Sequence, residues 1–208
     1  MHDSRSIIIV GTGGHAKVVL DMVNSMGLHC IAATTADQLI TAWRNLPVIT
    51  DEQLLADYLP TDVELVMGLG FIPGNNTRQQ LYDFFKSKGF NFKTLCHPTA
   101  CISPSAQLAE GVQVMAGVII QADAHCADNV IINTGARIDH DTCIGAHSHV
   151  APGAVLCGGV NVGRCVFIGA AATVIQSVTI GDDAVLAAGA TIVTDVITGK
   201  TVRGCPAR

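Results

Sequence analysis

The stretch IINTGARIDHDTCIGAHSHV, residues 131–150, brings His140, His147 and His149 together with Asp139, Asp141 and Asn133. Three readings are open to such a set. Clustered histidines bind zinc; an imidazole beside a carboxylate makes a general base with its orienting partner; polar residues at the corners of a repetitive scaffold do neither. His140 stands between two acids, which suits the second reading. A neutral imidazole takes a proton near neutral pH, and a carboxylate on its other nitrogen fixes the tautomer and raises its basicity. His147 and His125 read as solvated corner residues, and His97, before Pro98, as a residue of the domain junction. Near the N-terminus a second candidate appears: Gly11-Thr12-Gly13-Gly14-His15 lies between an apolar run and a helical pattern, where free N–H groups and the helix dipole attract an anion.

The elements that hold the histidines follow from a repeat. From Ile102 to Ile192 every sixth residue is Ile, Leu or Val, with Cys126 the exception, and the residue four further on, Ala106 through Val196, is always Ala, Val, Ser or Thr. A period of six fits neither a helix nor an alternating strand, so the segment is a stacked solenoid. Each unit is a three-residue strand with inward ends, such as Ala136-Arg137-Ile138, followed by a three-residue corner such as Asp139-His140-Asp141, and three units close a triangular turn. Gly145, Gly163, Gly169 and Gly181 follow large inward residues, where a sharp corner is expected to need positive φ. In this register His140 is the middle of a corner between the first and second faces, and His149 points outward from the third. The filled column keeps the two apart within one chain.

Ahead of the repeat, SIIIVGTGGHAKVVLDMVNSMG reads as a buried strand, a glycine turn and a helix over 16–26. HCIAAT and VELVMGLG predict further strands, and DEQLLADYL and NTRQQLYDFFKSKG further helices. Alternating β and α implies a parallel sheet. The turn departs from G-x-G-x-x-G, and the next strand ends in Thr34-Thr35 instead of an acid, which argues against a nicotinamide cofactor and leaves a phosphate-bearing small molecule. The expected organisation is a Rossmann-like half domain over 1–97, a solenoid over 98–197 and a capping tail over 198–208.

Bulk properties narrow the function classes. The 208 residues are 49% hydrophobic, 14% charged and only 4% aromatic, so the interior is expected to rest on Ala, Val, Ile and Leu. A net charge of −5 argues against a nucleic-acid partner. No run of eighteen apolar residues occurs and the start lacks a basic flank and long apolar block, so a cytoplasmic protein without a membrane partner is expected. The eight cysteines form no C-x-x-C pair and read as reduced apolar filler.

GTGGHAKVV, HPTACISPSA, INTGARIDHDTCIGAHSHVAPGA and the terminal GCPAR together resemble one bacterial family across nearly the whole chain. It comprises NeuD-like sialic acid O-acetyltransferases and PglD-like N-acetyltransferases of nucleotide-linked 4-amino-4,6-dideoxy sugars, enzymes of glycan biosynthesis. The resemblance implies a left-handed parallel β-helix of hexapeptide repeats that binds acetyl-CoA, a front domain that binds the sugar nucleotide, and a homotrimer with sites between subunits. It implies His140 as base with Asp141 as helper, where the family commonly has Glu. His149, Ala170 and Ala188 would contact acetyl-CoA, and Gly13, Gly14, His15, Thr34, Thr35 and Gly70 the sugar nucleotide; no metal is implied. The IDHD stretch is closer to the His-acid pair of the amino-sugar enzymes, which favours N- over O-acetylation. Two rivals stand beside this reading: a zinc enzyme of the carbonic anhydrase type using His125, His140, His147 and His149, and a non-catalytic sugar-nucleotide binder.

Overall fold

The structure is a computed structural model that describes residues 5–37 and 39–205. It divides into two units: the chain up to Gly70 with Asn75–Lys93, and Phe71–Gly74 with the chain from Thr94 on.

The first unit alternates strand and helix. Its elements are β1 (Ser6–Val10), α1 (Gly14–Ser25), β2 (Cys30–Thr34), β3 (Ala42–Trp43), β4 (Leu46–Ile49), α2 (Asp51–Asp57), β5 (Val63–Met67) and α3 (Thr77–Ser87). The sheet order is β3-β4-β2-β1-β5, parallel except for the β3–β4 hairpin. That hairpin was not expected. It turns on Arg44 and Asn45, both at positive φ, the backbone of a tight hairpin turn, but without the Asn-Gly pair that advertises one. Thr50 starts α2 through a capping box with Gln53. The chain's few rings are concentrated here: Tyr82, Phe85, Phe90 and Phe92 pack with Leu54, Leu65 and Met67, so this core is not purely aliphatic. Because β2 and β5 flank β1 on opposite sides, the strand order reverses between β1 and β5, and open α/β sheets take ligands in the crevice outside the carboxyl ends of the strands at such a point.

The second unit is a parallel β-helix. Three sheets are built by strands that pair with the strand eighteen residues on, such as Arg137–Ile138 with Val155–Leu156 on the first face, Cys143–Ile144 with Asn161–Val162 on the second and His149–Val150 with Phe167–Ile168 on the third. The inward large and small positions are buried through most of the column, as with Ala136, Ile138, Ala154 and Leu156. Leu95–Cys96 already pairs with Gln113–Val114, so the ladder begins before residue 98. At the far end the register shortens: Val196 pairs with Ile180, and Thr201–Val202 with Val185–Leu186, each sixteen residues apart. The last turn therefore drops two residues, and Thr201–Val202 forms a strand inside the expected tail. The end of GCPAR, residues 206–208, lies outside the described residues.

The expected reason for four glycines needs correction. Positive φ falls on every sixth residue from Gly111 to Gly189, the third residue of each corner, and Gly145, Gly163, Gly169 and Gly181 are not among them. They are needed because the next turn stacks against them. A Cβ would meet the Gly163 backbone at 2.5 Å from position 145, Ala188 N at 2.5 Å from position 169 and Thr198 N at 2.5 Å from position 181, and would collide with Asp182 from position 163.

Candidate active site

His140 sits at the middle of its corner, exposed, and the acids on either side hold different parts of it. Asp139 Oδ1 accepts from the His140 backbone N–H at 2.8 Å. Asp141 Oδ2 lies 2.8 Å from the ring Nδ1. A neighbouring Asp reaches the ring because Asp141 takes the left-handed corner conformation, φ 57°, which turns its short side chain back along the corner. The carboxylate only accepts, so Nδ1 carries the hydrogen and Nε2 keeps its lone pair. The Asp141 hydrogen bond, and after it the Asp139 charge, raise the imidazole pKa above its ordinary value. Around the ring is an open depression of about 530 Å³, lined by Asp139, His140, Asp141, Cys157, Gly158, Gly159, Gln176 and Ser177. A second depression, of about 230 Å³ along the first face, meets it at Asp139 and Cys157. This corner therefore pairs an imidazole, held at Nδ1 by a carboxylate, with an open surface.

His149 lies in a strand of the third face, not on the corner that carries His140. It is buried, its Nε2 is 3.1 Å from Asn133 Nδ2, and it makes edge contacts with Phe71 and Phe167, which stack on each other at 5.6 Å between centroids. Asn133 belongs to the corner between the third and first faces. The middle residues of that corner column are Ala116, Thr134, Pro152, Ala170 and Ala188, a low ridge in which Ala170 and Ala188 are exposed, so core packing does not demand their small size. The structure thus joins His149, Ala170 and Ala188 along one edge and leaves His140 on another.

In the first unit Gly13 caps α1 and Gly14 opens it. Both are exposed, neither has positive φ, and a Cβ on either would meet nothing within 4 Å, so the fold itself does not require glycine at these positions. His15 and Gly70 are brought together: a Cβ at 70 would lie 3.5 Å from His15 Cβ. Both border the β1/β5 crevice. Thr34, expected as a sugar-nucleotide contact, sits deeper than Thr35. It is buried at the end of β2 beside the Asp51 carboxylate, whose pKa is raised by burial and pulled back by the Thr34 hydroxyl. Thr35 is half-buried and accepts from Asp37 N at 3.2 Å. Asp51 therefore brings a carboxylate to a strand end that the sequence seemed to leave without one. Its only signal was the TDEQ capping pattern. Arg78 was also missed: buried on α3, it donates to the Leu69 carbonyl beside Gly70, and burial pulls its pKa down to about 9.

The remaining histidines are scattered. His147 is buried, not solvated, with Nδ1 3.0 Å from Asn129 Nδ2. His125 is exposed on the second face, and His97 accepts from Thr99 N at 3.1 Å. Among the described residues no three His, Cys, Asp or Glu side chains converge as a metal-binding group. Nor is any described helix long and apolar enough to cross a membrane.

Comparison with known proteins gives this geometry a context. Residues 6–85 match the family described as the PglD N-terminal domain. Over 112 residues the chain is 34% identical to the UDP-N-acetylbacillosamine N-acetyltransferase of Bacillus subtilis, covering 54% of this chain and 52% of that protein, so the match spans about half the length of that curated relative. The solved acetyltransferase domain of PglB from Neisseria gonorrhoeae is 34% identical, covers 99% of both chains and superposes with a TM-score of 0.90. PerB from Caulobacter crescentus, solved in complex with CoA and GDP-perosamine, is 40% identical over 98% of this chain and 96% of that one, with a TM-score of 0.89. The fold shared with these structures is a Rossmann-like half domain with a left-handed parallel β-helix.

Proposed function

The chain belongs to the PglD-like family of bacterial sugar acetyltransferases, and on that premise we propose that it moves the acetyl group of acetyl-CoA onto the 4-amino group of a nucleotide-linked 4-amino-4,6-dideoxy sugar. The observation that carries the reading is the Nδ1–Asp141 bond of 2.8 Å, which leaves Nε2 of an exposed imidazole free to accept a proton at an open depression. The sugar amine attacks the thioester carbonyl carbon, and a C–N bond forms as the carbonyl becomes an oxyanion. His140 Nε2 takes the proton released from nitrogen. Collapse breaks the C–S bond, and the proton passes from the imidazolium to the departing sulfur, giving the amide and CoA thiol. Asp141 holds the ring in the required tautomer and stabilises its cation.

The donor is read along the edge of His149, Ala170 and Ala188, where the low ridge leaves room for a pantetheine arm. The acceptor is read at the β1/β5 crevice, with Gly13 and Gly14 admitting the diphosphate to the start of α1, and with His15 and Gly70 beside it. Thr34 acts through Asp51, and Thr35 stands at the nucleoside end. Since His140 and His149 occupy different edges of one triangular column, a complete site needs the base of one subunit beside the donor edge of another, which a homotrimer supplies three times. Both co-substrates are cytoplasmic metabolites, and the product feeds glycan assembly.

The test is release of CoA thiol across UDP-, GDP- and dTDP-linked 4-amino sugars, with free sialic acids as controls. Turnover with one of the nucleotide amino sugars is expected. Release with a free sialic acid alone would replace N-acetylation by O-acetylation.

A further inference from the structure

Gly158 is the middle residue of the corner one turn beyond His140, in Cys157-Gly158-Gly159, and it is buried. Down this corner column the middle residues are Pro104, Ala122, His140, Gly158, Gln176 and Thr194, so glycine occurs there once, directly after the histidine. The backbone does not ask for it. Positive φ falls on Gly159, not on Gly158. Nor does the next turn supply the nearest atoms, as it does for Gly145: the three heavy atoms nearest a Cβ placed at 158 all belong to the imidazole, with Cε1 and Nε2 at 2.6 Å and Cδ2 at 3.2 Å. Real Cβ atoms do not keep contacts of 2.6 Å. The ring of His140 occupies the space that a side chain at 158 would fill.

We infer that Gly158 is a positioning residue for His140, the floor against which the imidazole lies while Asp141 holds Nδ1. The inference deepens the reading of His140 as base and rests on it. The His140–Asp141 pair is exposed on both sides, with 61% and 65% of the two side chains accessible, and one hydrogen bond leaves such a ring free to swing outward. Contact with the floor fixes the remaining freedom and sets the direction of the Nε2 lone pair. A methyl at 158 pushes the ring off this seat and away from Asp141. Because the displaced atoms are the tip of an exposed side chain, the fold relaxes by moving the ring, and the loss falls on turnover.

The experiment compares Gly158→Ala, His140→Ala and the double variant. Gly158→Ala is expected to lower kcat about a hundredfold, the order expected for an ångström-scale misplacement, with KM for both substrates within about twofold and the melting temperature nearly unchanged. The ring-proton NMR titration of His140 shifts toward the value of a free histidine as the Asp141 contact is lost. In the His140→Ala background the same substitution costs no further turnover. Unchanged kcat and titration in Gly158→Ala, or an additive loss in the double variant, overturn the inference. If Gly158→Ala fails to fold, the double variant must fold, because the obstacle is gone; a double variant that also fails shows a backbone role instead. Full activity of His140→Ala sinks the base reading itself, an outcome distinct from a silent Gly158→Ala beside a dead His140→Ala.

Discussion

Asp139-His140-Asp141 and Gly145-Ala146-His147 are consecutive corners of one turn, six residues apart, and each carries a histidine. In the first corner the histidine is in the middle, projects to solvent and meets a carboxylate from the third position. In the second it occupies the third position itself, with φ 62°, and is folded down against Asn129 of the preceding turn. Residue type is the same and the local scaffold nearly so. Place within the corner decides whether an imidazole is presented to solvent or spent on the ladder between turns.

Exchanging the two histidines for alanine tests this most strongly. His140→Ala is expected to reduce kcat by about 10²–10⁴-fold, the range for loss of a general base, with little effect on the melting temperature. His147→Ala is expected to leave kcat within a few fold and to lower stability by about 1–3 kcal/mol, since Asn129 loses a buried partner and alanine is put at left-handed φ. Steady-state kinetics and denaturant melts on both variants decide it. A large kcat loss in His147→Ala would erase the distinction between the corners.

The first residue of each corner gives the next contrast. Asp139 accepts a backbone hydrogen bond, whereas Gly145 lies under the following turn. Gly145→Ala puts a methyl 2.5 Å from the Gly163 backbone, which has no rotamer by which to withdraw. A stability loss of about 3 kcal/mol is expected, at the upper end for overpacking, measured as a shift in denaturant midpoint. A loss under about 0.5 kcal/mol would mean that the turns stack more loosely than a 2.5 Å approach requires.

Glycines at positive φ and glycines packed under the next turn mark where the sequence stops being informative. The six-residue period survives in one chain because the column needs Ile138, Ile144 and Val150 inside, and burial constrains each of them alike. Corner chemistry has no such uniformity. The left-handed third position accepts Gly135, Asp141, His147, Cys165, Ala171 and Ser177, so residue type does not announce it, and the wrong glycines drew the expectation of positive φ. Contacts between turns, such as Gly158 under His140, join residues that no local pattern connects. In the first unit the strands and helices other than the β3–β4 hairpin were visible from apolar runs and helical patterns. The Thr34–Asp51 pairing and the buried Arg78 were not, since each depends on how separate β–α junctions meet at the end of the sheet.

The third position can be probed by pH. Asp141 and, after it, Asp139 raise the pKa of His140, and a base in the proposed role works when neutral, so kcat is expected to rise with pH through a value above that of an ordinary histidine. Asp141→Asn removes the larger cause, moves that limb to lower pH and costs on the order of tenfold in kcat on the plateau, because a weaker base and an unfixed tautomer remain. The stability linkage has the same sign. A raised folded-state pKa favours the protonated ring, a contribution present below the unfolded pKa and lost as pH rises through the folded one, and solvent screens it at this exposed site. A limb that stays in place in Asp141→Asn would assign the shift to Asp139 alone.

The smallest effect comes from moving the histidine instead of removing it. Ala146 is the middle residue of the second corner, the position equivalent to His140, and Arg164 stands one turn beyond it where Gly158 stands beyond His140. An imidazole placed there by Ala146→His has no acid on either side, since its neighbours are Gly145 and His147, and a guanidinium-bearing residue where the other ring has its floor. Stability should change by no more than about 0.5 kcal/mol, as for other partly exposed corner substitutions. In the His140→Ala background the added histidine should restore no turnover. If it did, the middle of any corner would suffice, and neither Asp141 nor the glycine beneath the ring would be needed to make a base of it.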